Sequence, residues 1–383
     1  MPKRKICVVV ASRANYGRVK SVLRAIKQHP KLDLQLVVGA SALLYRFGRV
    51  IDIIKEDGFI PLRSIYYVVE GENLSTQAKS TGLGIIELTS AFEDLNPDIV
   101  VTVADRFETM STAIASSYMN IPLAHIQGGE VTGNIDEPVR HAITKLAHIH
   151  FPATQKSAER IIKLGEEPWR VHITGCPSID LLQNSDLTVS KKLFDRYGGI
   201  GYPLNPDQPY ILMVQHPVTT EFGKGATQVT ATLNALKTRK EQKIVLWPNI
   251  DAGSDHVSKA IRIFREKNYT ENFHYYRGFS PEDYNAILNN AVCVVGNSSS
   301  FIREGSYLGT PAVIVGDRQE GREHGENIIF ADYSEDDIAR KIDIQIKHGK
   351  YACSVVFGEG TAGIQIAQIL SEIPLIINKR MTY

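Results

Sequence analysis

Short apolar runs alternate with amphipathic segments along this chain, and this order constrains the fold more than any other feature. Residues 6–12 (ICVVVAS) are a continuous apolar run, and Val19, Val22 and Ile26 then recur at helical spacing. The same succession returns several times before residue 130. Because the runs are apolar throughout, they are typical of strands that are covered on both faces. The pattern therefore predicts a parallel sheet with helices on each side.

The alternation pauses and restarts near the middle of the chain, which predicts two lobes. A chain of 383 residues is too long for one ordinary core. We assign residues 1–180 to the first lobe and 181–361 to the second, which opens with a polar, glycine- and proline-bearing join. An amphipathic pattern opens the remainder, 362–383, and predicts a helix that two-lobed architectures allow to return to the first lobe. The predicted class is α/β, with two Rossmann-like lobes whose parallel sheets face an interdomain cleft.

The bulk composition narrows the range of partners. The 43 basic and 42 acidic residues nearly cancel, so no overall field favours nucleic acid or an anionic membrane. The four cysteines lack metal-ligand spacing. The first apolar run is too short for a signal-peptide core or a membrane span, so a cytoplasmic protein is expected.

Polar side chains follow the predicted strands at the point where each strand ends. Asp105 and Arg106 follow one strand, Gln127 and Glu130 another, and His216 and Asn249 follow two strands of the second lobe. Ligands of open parallel sheets bind at the carboxyl ends of the strands, near the points where strand order reverses. Two facing lobes would thus form a ligand cleft with polar groups on both sides.

The segment VVGNSSSFIRE, from Val294 to Glu304, predicts an anion site. A helix that begins near Ser299 leaves unpaired N–H groups and the positive end of its dipole at a strand end, where Ser298 and Ser299 can hydrogen-bond a phosphate. A plain serine N-cap is the alternative. Arg318 and Arg322, after the next strand, suit a diphosphate clamp. Arg13 is the counterpart on the first lobe, although a surface charge is an equal alternative.

Carboxylates and histidines supply the acid–base candidates. Asp105, Glu130 and Asp136 each lie at or just past a strand end, and neighbouring carboxylates in different environments can act as acid and base. For Asp136, a plain cap of the following helix is an equal alternative. His216 suits proton donation or a phosphate contact. His141, His148 and His150 lack a zinc-binding pattern, which favours structural roles.

Several blocks of the chain together resemble one enzyme family. The blocks run in order over nearly the whole length: ASRANYG, ADRFET, HIQGGEVTGNIDEPVRHAITKLAHIH, GCPSID, QHPVTT, PNIDAGS, GNSSSFIREGSYLGTP and GDRQEGRE. They are similar to the hydrolysing UDP-N-acetylglucosamine 2-epimerases of sialic-acid and related nonulosonic-acid biosynthesis. The resemblance implies the two-lobed GT-B architecture, the release of UDP and N-acetylmannosamine, and no metal or nicotinamide cofactor. Family habit, with exposed apolar helices, implies a homodimer or homotetramer.

The resemblance also implies roles for residues at matching positions. Asp105 and Asp136 match the catalytic carboxylates, which would act in UDP elimination across C1–C2 and in water addition to the resulting glycal. Uracil would meet backbone near Phe279, and Glu304 would accept hydrogen bonds from the ribose. The positions that match nucleotide contacts are Arg13, Arg106, His216, Asn249, Ser298, Ser299, Glu304 and Arg318.

One departure from the family pattern leaves the substrate open. Several members have a glutamate at the position of Gln127, and an amide cannot act as acid or base. The alternative substrate is a UDP-2,4-diacetamido-2,4,6-trideoxyhexose on the route to legionaminic acid. A GT-B glycosyltransferase would also fit the predicted fold, because this architecture serves several functions. Gln127 motivates a third alternative, a UDP-sugar sensor that is not catalytic.

Overall fold

The alternating pattern of the sequence folds into two layered α/β lobes. The computed structural model describes residues 2–133, 135–183, 185–201, 203–268 and 272–382. The strands are β1 Arg4–Val10, β2 Leu32–Gly39, β3 Arg63–Ile65, β4 Ile99–Val103, β5 Leu123–Ile126, β6 Ile149–Phe151, β7 Ile200–Gly201, β8 Tyr210–Val214, β9 Gln242–Leu246, β10 Phe273–Tyr276, β11 Cys293–Gly296, β12 Ala312–Val315 and β13 Ile328–Ala331. The α-helices are α1 Arg13–Gln28, α2 Val50–Glu56, α3 Leu74–Leu95, α4 Phe107–Tyr118, α5 Asp136–Leu146, α6 Gln155–Lys163, α7 Pro177–Gln183, α8 Lys191–Asp195, α9 Gly225–Lys237, α10 Ser254–Lys267, α11 Pro281–Asn290, α12 Ser299–Leu308, α13 Glu335–His348 and α14 Ala362–Glu372.

The first lobe is built on a six-stranded parallel sheet with the order β3-β2-β1-β4-β5-β6. Its central strands are apolar throughout because both faces are covered. Val8 and Val101 belong to one core cluster and Cys7 and Val100 to the other. Strand order reverses between β1 and β4, so their carboxyl ends form a crevice.

The second lobe repeats this plan with a seven-stranded sheet of order β13-β12-β11-β8-β9-β10-β7. The pairs are parallel except for β10 with the short edge strand β7. Strand order reverses between β8 and β11. The segments after these two strands carry His216 and Ser298, which therefore lie at the switch point of this lobe. The α/β class with two Rossmann-like lobes is confirmed.

The C-terminal segment lies on the first lobe. Ile366 and Leu370 of α14 belong to the same core cluster as Val22 of α1. The Asp180 carboxylate accepts hydrogen bonds from the N–H groups of Ala362 and Gly363, at 3.0 and 2.6 Å, and so caps the start of α14. No helix in the described ranges has the length and apolarity needed to cross a bilayer.

A buried carboxylate ties the tail beyond α14 to the back of α5. Glu166, which is buried, contacts Lys379 Nζ at 2.6 Å, Lys145 Nζ at 2.7 Å and His150 Nε2 at 3.1 Å. Burial raises the pKa of Glu166, but hydrogen bonds from these partners outweigh burial and lower the pKa to about 2 from its usual 4.5. The tail thereby supports the helix that begins at Asp136.

Glu166→Gln is expected to lower the free energy of unfolding by about 2–3 kcal/mol, because three charged or polar partners lose a buried charge. The folded-state pKa lies below the unfolded one. The stabilisation by Glu166 is therefore present above about pH 4.5 and is lost as the pH falls through about 2. Urea unfolding at several pH values measures both effects. Glu159→Gln, at an exposed position on α6, is the control, and equal stability of the two variants would contradict the prediction.

Candidate functional site

A cavity between the lobes gathers polar groups from the carboxyl ends of both sheets. The first lobe contributes residues after β1, β2, β4 and β5, and the second lobe contributes residues after β8, β9, β10, β11 and β12. Twelve of the fourteen residues that the sequence nominates line it: Arg13, Asp105, Arg106, Asp136, His216, Asn249, Phe279, Ser298, Ser299, Glu304, Arg318 and Arg322. Gln127 and Glu130 are not among the lining residues.

The start of α12 forms the anion-binding corner. Ser298 is the N-cap and its Oγ accepts the N–H of Ser300 at 3.4 Å, so the cap alternative describes one of the three serines. Ser299 is the first helical residue and its Oγ accepts a hydrogen bond from Arg18 of α1 at 2.7 Å. The Ser300 hydroxyl lies 2.5 Å from Tyr284 Oη. Hydroxyls, a helix N-terminus and a guanidinium thus converge on this corner.

A cluster of charged groups crosses the cavity from lobe to lobe. Asp251 lies 3.0 Å from Arg106 of the first lobe and 3.3 Å from Arg318 of the second. Arg106 also contacts buried Glu108 at 3.2 Å, and Asn249 Nδ2 donates to Asp251 at 2.5 Å. These contacts hold two guanidinium groups and an amide beside one another, as a phosphate clamp requires.

His216 is held as a neutral imidazole. Its Nδ1 accepts the backbone N–H of Asn249 at 3.2 Å, so the ring proton is assigned to Nε2. Burial and the charges of Arg318, Arg13 and Arg106 lower the pKa of His216 well below its usual value. At neutral pH the ring is therefore a hydrogen-bond donor.

Asp105 follows β4 and is paired with a fully buried arginine of α5. Arg140 Nε donates to Asp105 Oδ2 at 2.9 Å, and Arg140 Nη2 contacts the same oxygen. Burial opposes ionisation of this carboxyl. The guanidinium groups of Arg140, Arg18 and Arg322 outweigh burial and hold the pKa of Asp105 well below its usual range. At neutral pH Asp105 is therefore a carboxylate.

Asp136 is the first residue of α5, with Ile135 at the N-cap position. Ile135, rather than Asp136, therefore occupies the N-cap position of this helix. Its Oδ2 lies 3.7 Å from Arg318 Nη2, across the cleft. The preceding loop docks on the second lobe, where the Gly133 N–H donates to Arg318 O at 3.3 Å. A Cβ at Gly133 would lie 2.1 Å from Asp317 O, so only glycine permits this approach.

Glu130 and Gln127 lie buried beneath the cavity. Glu130 Oε2 contacts Arg303 at 2.5 Å and Arg322 at 3.3 Å, both from the second lobe. Burial raises the pKa of Glu130, but the charges of Arg303, Arg322 and Arg140 outweigh burial and lower the pKa to about 2. Gln127 Nε2 donates to Cys176 Sγ at 2.8 Å.

Phe279, Arg13 and Glu304 also line the cavity. Phe279 packs in an aromatic cluster with Tyr197 and Tyr276, at centroid distances of 4.7 and 4.9 Å. Arg13 Nη1 donates to the carbonyl of Arg277 at 2.6 Å, which joins the lobes. Glu304 Oε2 is buried without a partner among the described residues, as expected of an acceptor that awaits a ligand.

The histidines after Asp136 do not share one helix. α5 ends at Leu146, so His148 and His150 leave it, and His150 lies in β6. The helix does not continue to residue 150, because Ile149–Phe151 join the sheet beside β5. Within the described ranges, histidine, cysteine and carboxylate side chains form no cluster of three that could hold a metal ion.

Sequence reasoning did not single out Arg140. It lies four residues after Asp136 on α5, so both side chains share one face of the helix. This spacing of four residues from Asp136 is the feature of the sequence that could have indicated Arg140 as a site residue. Its pairing with Asp105 depends on the contact between α5 and the end of β4, which sequence spacing does not reveal.

Comparison with known proteins identifies the family. The sequence profile of the family described as UDP-N-acetylglucosamine 2-epimerase matches residues 24–371. The UDP-N,N'-diacetylbacillosamine 2-epimerase (hydrolyzing) of Legionella pneumophila is 33% identical over 99% of this chain and 100% of its own length. A GDP/UDP-N,N'-diacetylbacillosamine 2-epimerase (hydrolyzing) of Campylobacter jejuni is 30% identical, over 88% of this chain and 87% of its own.

The fold comparison agrees with the GT-B architecture. The crystal structure of UDP-GlcNAc 2-epimerase from Neisseria meningitidis bound to UDP-GlcNAc superimposes with a TM-score of 0.78, at 17% identity, over 96% of this chain and 99% of that one. The profile match spans most of the chain, and the Legionella relative exceeds 30% identity over its whole length. This chain therefore belongs to the UDP-N-acetylglucosamine 2-epimerase family.

Proposed function

We propose that the protein is a hydrolysing 2-epimerase of a UDP-linked 2-acetamido sugar, which it converts to UDP and the free 2-epimer. The observation that carries this proposal is the meeting of two kinds of group in one cavity. Asp105 and Asp136 come from the first lobe, and the serine-rich start of α12 with Arg318 comes from the second. The first pair suits proton transfer and the second suits a diphosphate.

The nucleotide would bind chiefly to the second lobe. Ser298, Ser299 and the N–H groups at the start of α12 would hold the diphosphate, with Arg13, Arg106 and Arg318 against its charge. Glu304, whose buried oxygen lacks a partner among described groups, would accept the ribose hydroxyls. Uracil would lie against the backbone near Phe279. His216 and Asn249 would donate hydrogen bonds to phosphate oxygens.

The reaction would proceed by elimination and addition. A carboxylate takes the proton from C2 while the C1–O bond breaks, so UDP departs with the bonding electrons and C1 and C2 become doubly bonded. Water then adds its oxygen to C1, and a proton returns to C2 from the opposite face. Asp105, which is ionised at neutral pH and lines the cavity, suits the base and the stabilisation of positive charge at C1, and Asp136 suits proton return.

Glu130 and Gln127 receive supporting roles in this proposal. A glutamate with a pKa of about 2 that is paired with two arginines is a poor proton donor at neutral pH. We therefore assign Glu130 to the contact between the lobes, in place of the catalytic role that its position in the sequence suggested. Gln127, which hydrogen-bonds Cys176, would shape the floor of the cavity.

A diacetylated 6-deoxy sugar is the second candidate substrate. It is favoured by the Legionella relative, whose name specifies UDP-N,N'-diacetylbacillosamine and a hydrolysing reaction. Incubation with UDP-N-acetylglucosamine and separately with its 2,4-diacetamido-6-deoxy analogue, followed by identification of the released sugar, distinguishes the two. The reaction run in deuterium oxide should place deuterium at C2. Failure to release UDP from either compound, or product without deuterium, would overturn the proposal.

Arg318→Ala is expected to weaken UDP binding about 10- to 100-fold, because a charge-assisted contact is worth about 1.5–3 kcal/mol. Ser299→Ala should weaken it less, since a neutral hydroxyl contributes about 1 kcal/mol. Isothermal titration with UDP measures both. Arg340→Ala removes an exposed arginine of α13 and is the control. Equal affinity of Arg318→Ala and wild type would move the diphosphate away from this corner.

A further inference from the structure

A buried loop of the second lobe contacts the first lobe through each of four consecutive residues. The loop is residues 251–254, which lead from β9 into α10. Its Ala252 N–H donates to Gln77 Oε1 at 3.2 Å, and its Gly253 N–H donates to the Glu72 carbonyl at 2.9 Å. Neither Gln77 nor Glu72 is among the residues that line the cavity. Backbone groups of this loop therefore dock the two lobes from outside the cavity.

The last residue of the loop adds a side-chain contact at the same place. Ser254 Oγ contacts the Glu72 carboxylate, which also pairs with Arg46 at 2.8 Å. Glu72 has a φ of 43°. This conformation is costly for a residue other than glycine and persists only where the surroundings hold it. The docked loop thus holds Glu72 in a conformation that the free chain disfavours.

The first residue of the loop, Asp251, connects this docking contact to the cavity. Its carboxylate lies 3.0 Å from Arg106 Nη2 and 3.3 Å from Arg318 Nη2. Both arginines line the cavity, whereas Asp251 does not. Arg318 Nη1 donates to the Asn297 carbonyl at 3.4 Å, and its buried Nε has no partner among the described groups. Asp251 therefore holds one guanidinium from each lobe from behind and leaves Arg318 Nε for a ligand.

We propose that Asp251 is a positioning residue, which aims Arg106 and Arg318 at the departing diphosphate when the loop 251–254 is docked on the first lobe. The inference rests on the function proposed above and adds a residue to it. As the C1–O bond breaks, the bonding electrons stay on the phosphate oxygen, so negative charge grows where the two guanidinium groups would bind. Asp251 touches no substrate atom and acts through the two arginines.

The placement of the arginines can be separated from the charge of Asp251. Loss of this charge would make the cavity more positive and attract the diphosphate, whereas misplaced arginines would stabilise it less well. Asp251→Glu keeps the charge and moves the carboxylate by one methylene group. This variant therefore changes the placement of the arginines without changing the net charge of the site.

The test measures kcat and KM by UDP release from the sugar nucleotide that wild type turns over. In Asp251→Glu we expect kcat to fall about 10²-fold with KM near that of wild type, since a misplacement of about 1 Å can cost this much. In an Arg106→Met background, Asp251→Glu should cause little further loss of kcat, because the two residues act as a unit. Gln77→Ala, which removes the bond to the Ala252 N–H, should lower kcat about 2- to 10-fold, the scale of one hydrogen bond.

Glu241→Gln is the matched control. Glu241 is also buried and also pairs with an arginine, Arg239 at 3.4 Å, but it precedes β9 at the end opposite the cavity. Its variant should lose stability and keep the kcat of wild type. Should Asp251→Glu fail to fold, Asp251→Asn, which keeps the shape of the side chain, carries the test with the same loss expected. Wild-type kcat in the Asp251 variant, or losses that add fully with Arg106→Met, would overturn the inference alone. A wild type that releases no UDP would overturn the proposed function.

Discussion

Asp105→Asn is expected to reduce UDP release by two to four decades, the usual scale for an acid–base group, while UDP affinity stays near that of wild type. The amide removes the charge that would accept the C2 proton and stabilise positive charge at C1. It keeps the shape of the side chain and can still accept a hydrogen bond from Arg140. The nucleotide contacts, which come mainly from the second lobe, remain in place. Single-turnover UDP release and titration with UDP measure the two quantities.

Two controls separate this result from general damage. Asp94→Asn changes an exposed carboxylate that pairs with Arg63 at 3.0 Å on the surface, and it should be as active as wild type. Circular dichroism of Asp105→Asn should show an intact fold. If Asp105→Asn released UDP at the wild-type rate, the chemistry would have to be assigned to other residues, Asp136 first.

The location of the cavity could be predicted because parallel sheets impose it. The carboxyl ends of β1, β4, β8 and β11 must meet at the reversal points of strand order, whatever the side chains are. Polar residues at those ends, such as Asp105 and Ser298, were therefore expected to face one cleft. The structure places them in the same cavity.

The middle of helix α3, in contrast to the location of the cavity, could not be predicted from the sequence. Gly82 and Gly84 interrupt its pattern, and glycine usually weakens a helix. At Gly84 a Cβ would lie 2.7 Å from Ser111 Oγ of α4, so glycine permits close packing of the two helices here. The start of α3 did carry a local signal, since Asn73 and Thr76 form a capping box. Tertiary packing, which a single sequence does not display, explains the glycine.

Side-chain partners in the site also depend on tertiary packing. Glu130 and Asp136 follow the same strand within a few residues, and their positions in the sequence suggest similar roles. Asp136 lines the cavity, whereas Glu130 lies outside its lining and contacts Arg303. Sequence can therefore nominate carboxylates, but tertiary packing decides which of them reach the cavity.

Glu130→Gln is expected to lower the free energy of unfolding by about 3–5 kcal/mol, the usual cost of removing one partner from a buried ion pair. The substitution leaves Arg303 and Arg322 buried beside each other without their shared counter-charge. Burial and the charge of Arg303 already lower the pKa of Arg322 to about 9, although the charge of Glu130 opposes this shift. Without Glu130, the repulsion between Arg303 and Arg322 should therefore increase. Urea unfolding measures the change. Glu221→Gln, which removes a surface partner of Lys224, should change stability by at most about 1 kcal/mol.

A second substitution decides whether Glu130 joins the lobes or transfers a proton. If it joins the lobes, Arg303→Met added to Glu130→Gln should recover part of the lost stability, because the uncompensated charge disappears with its partner. On its acidic side, the pH profile of the remaining activity of Glu130→Gln should match that of wild type, since a carboxyl with a pKa of about 2 does not titrate above pH 5. A stable Glu130→Gln variant that loses turnover by several decades would instead make Glu130 an acid–base group.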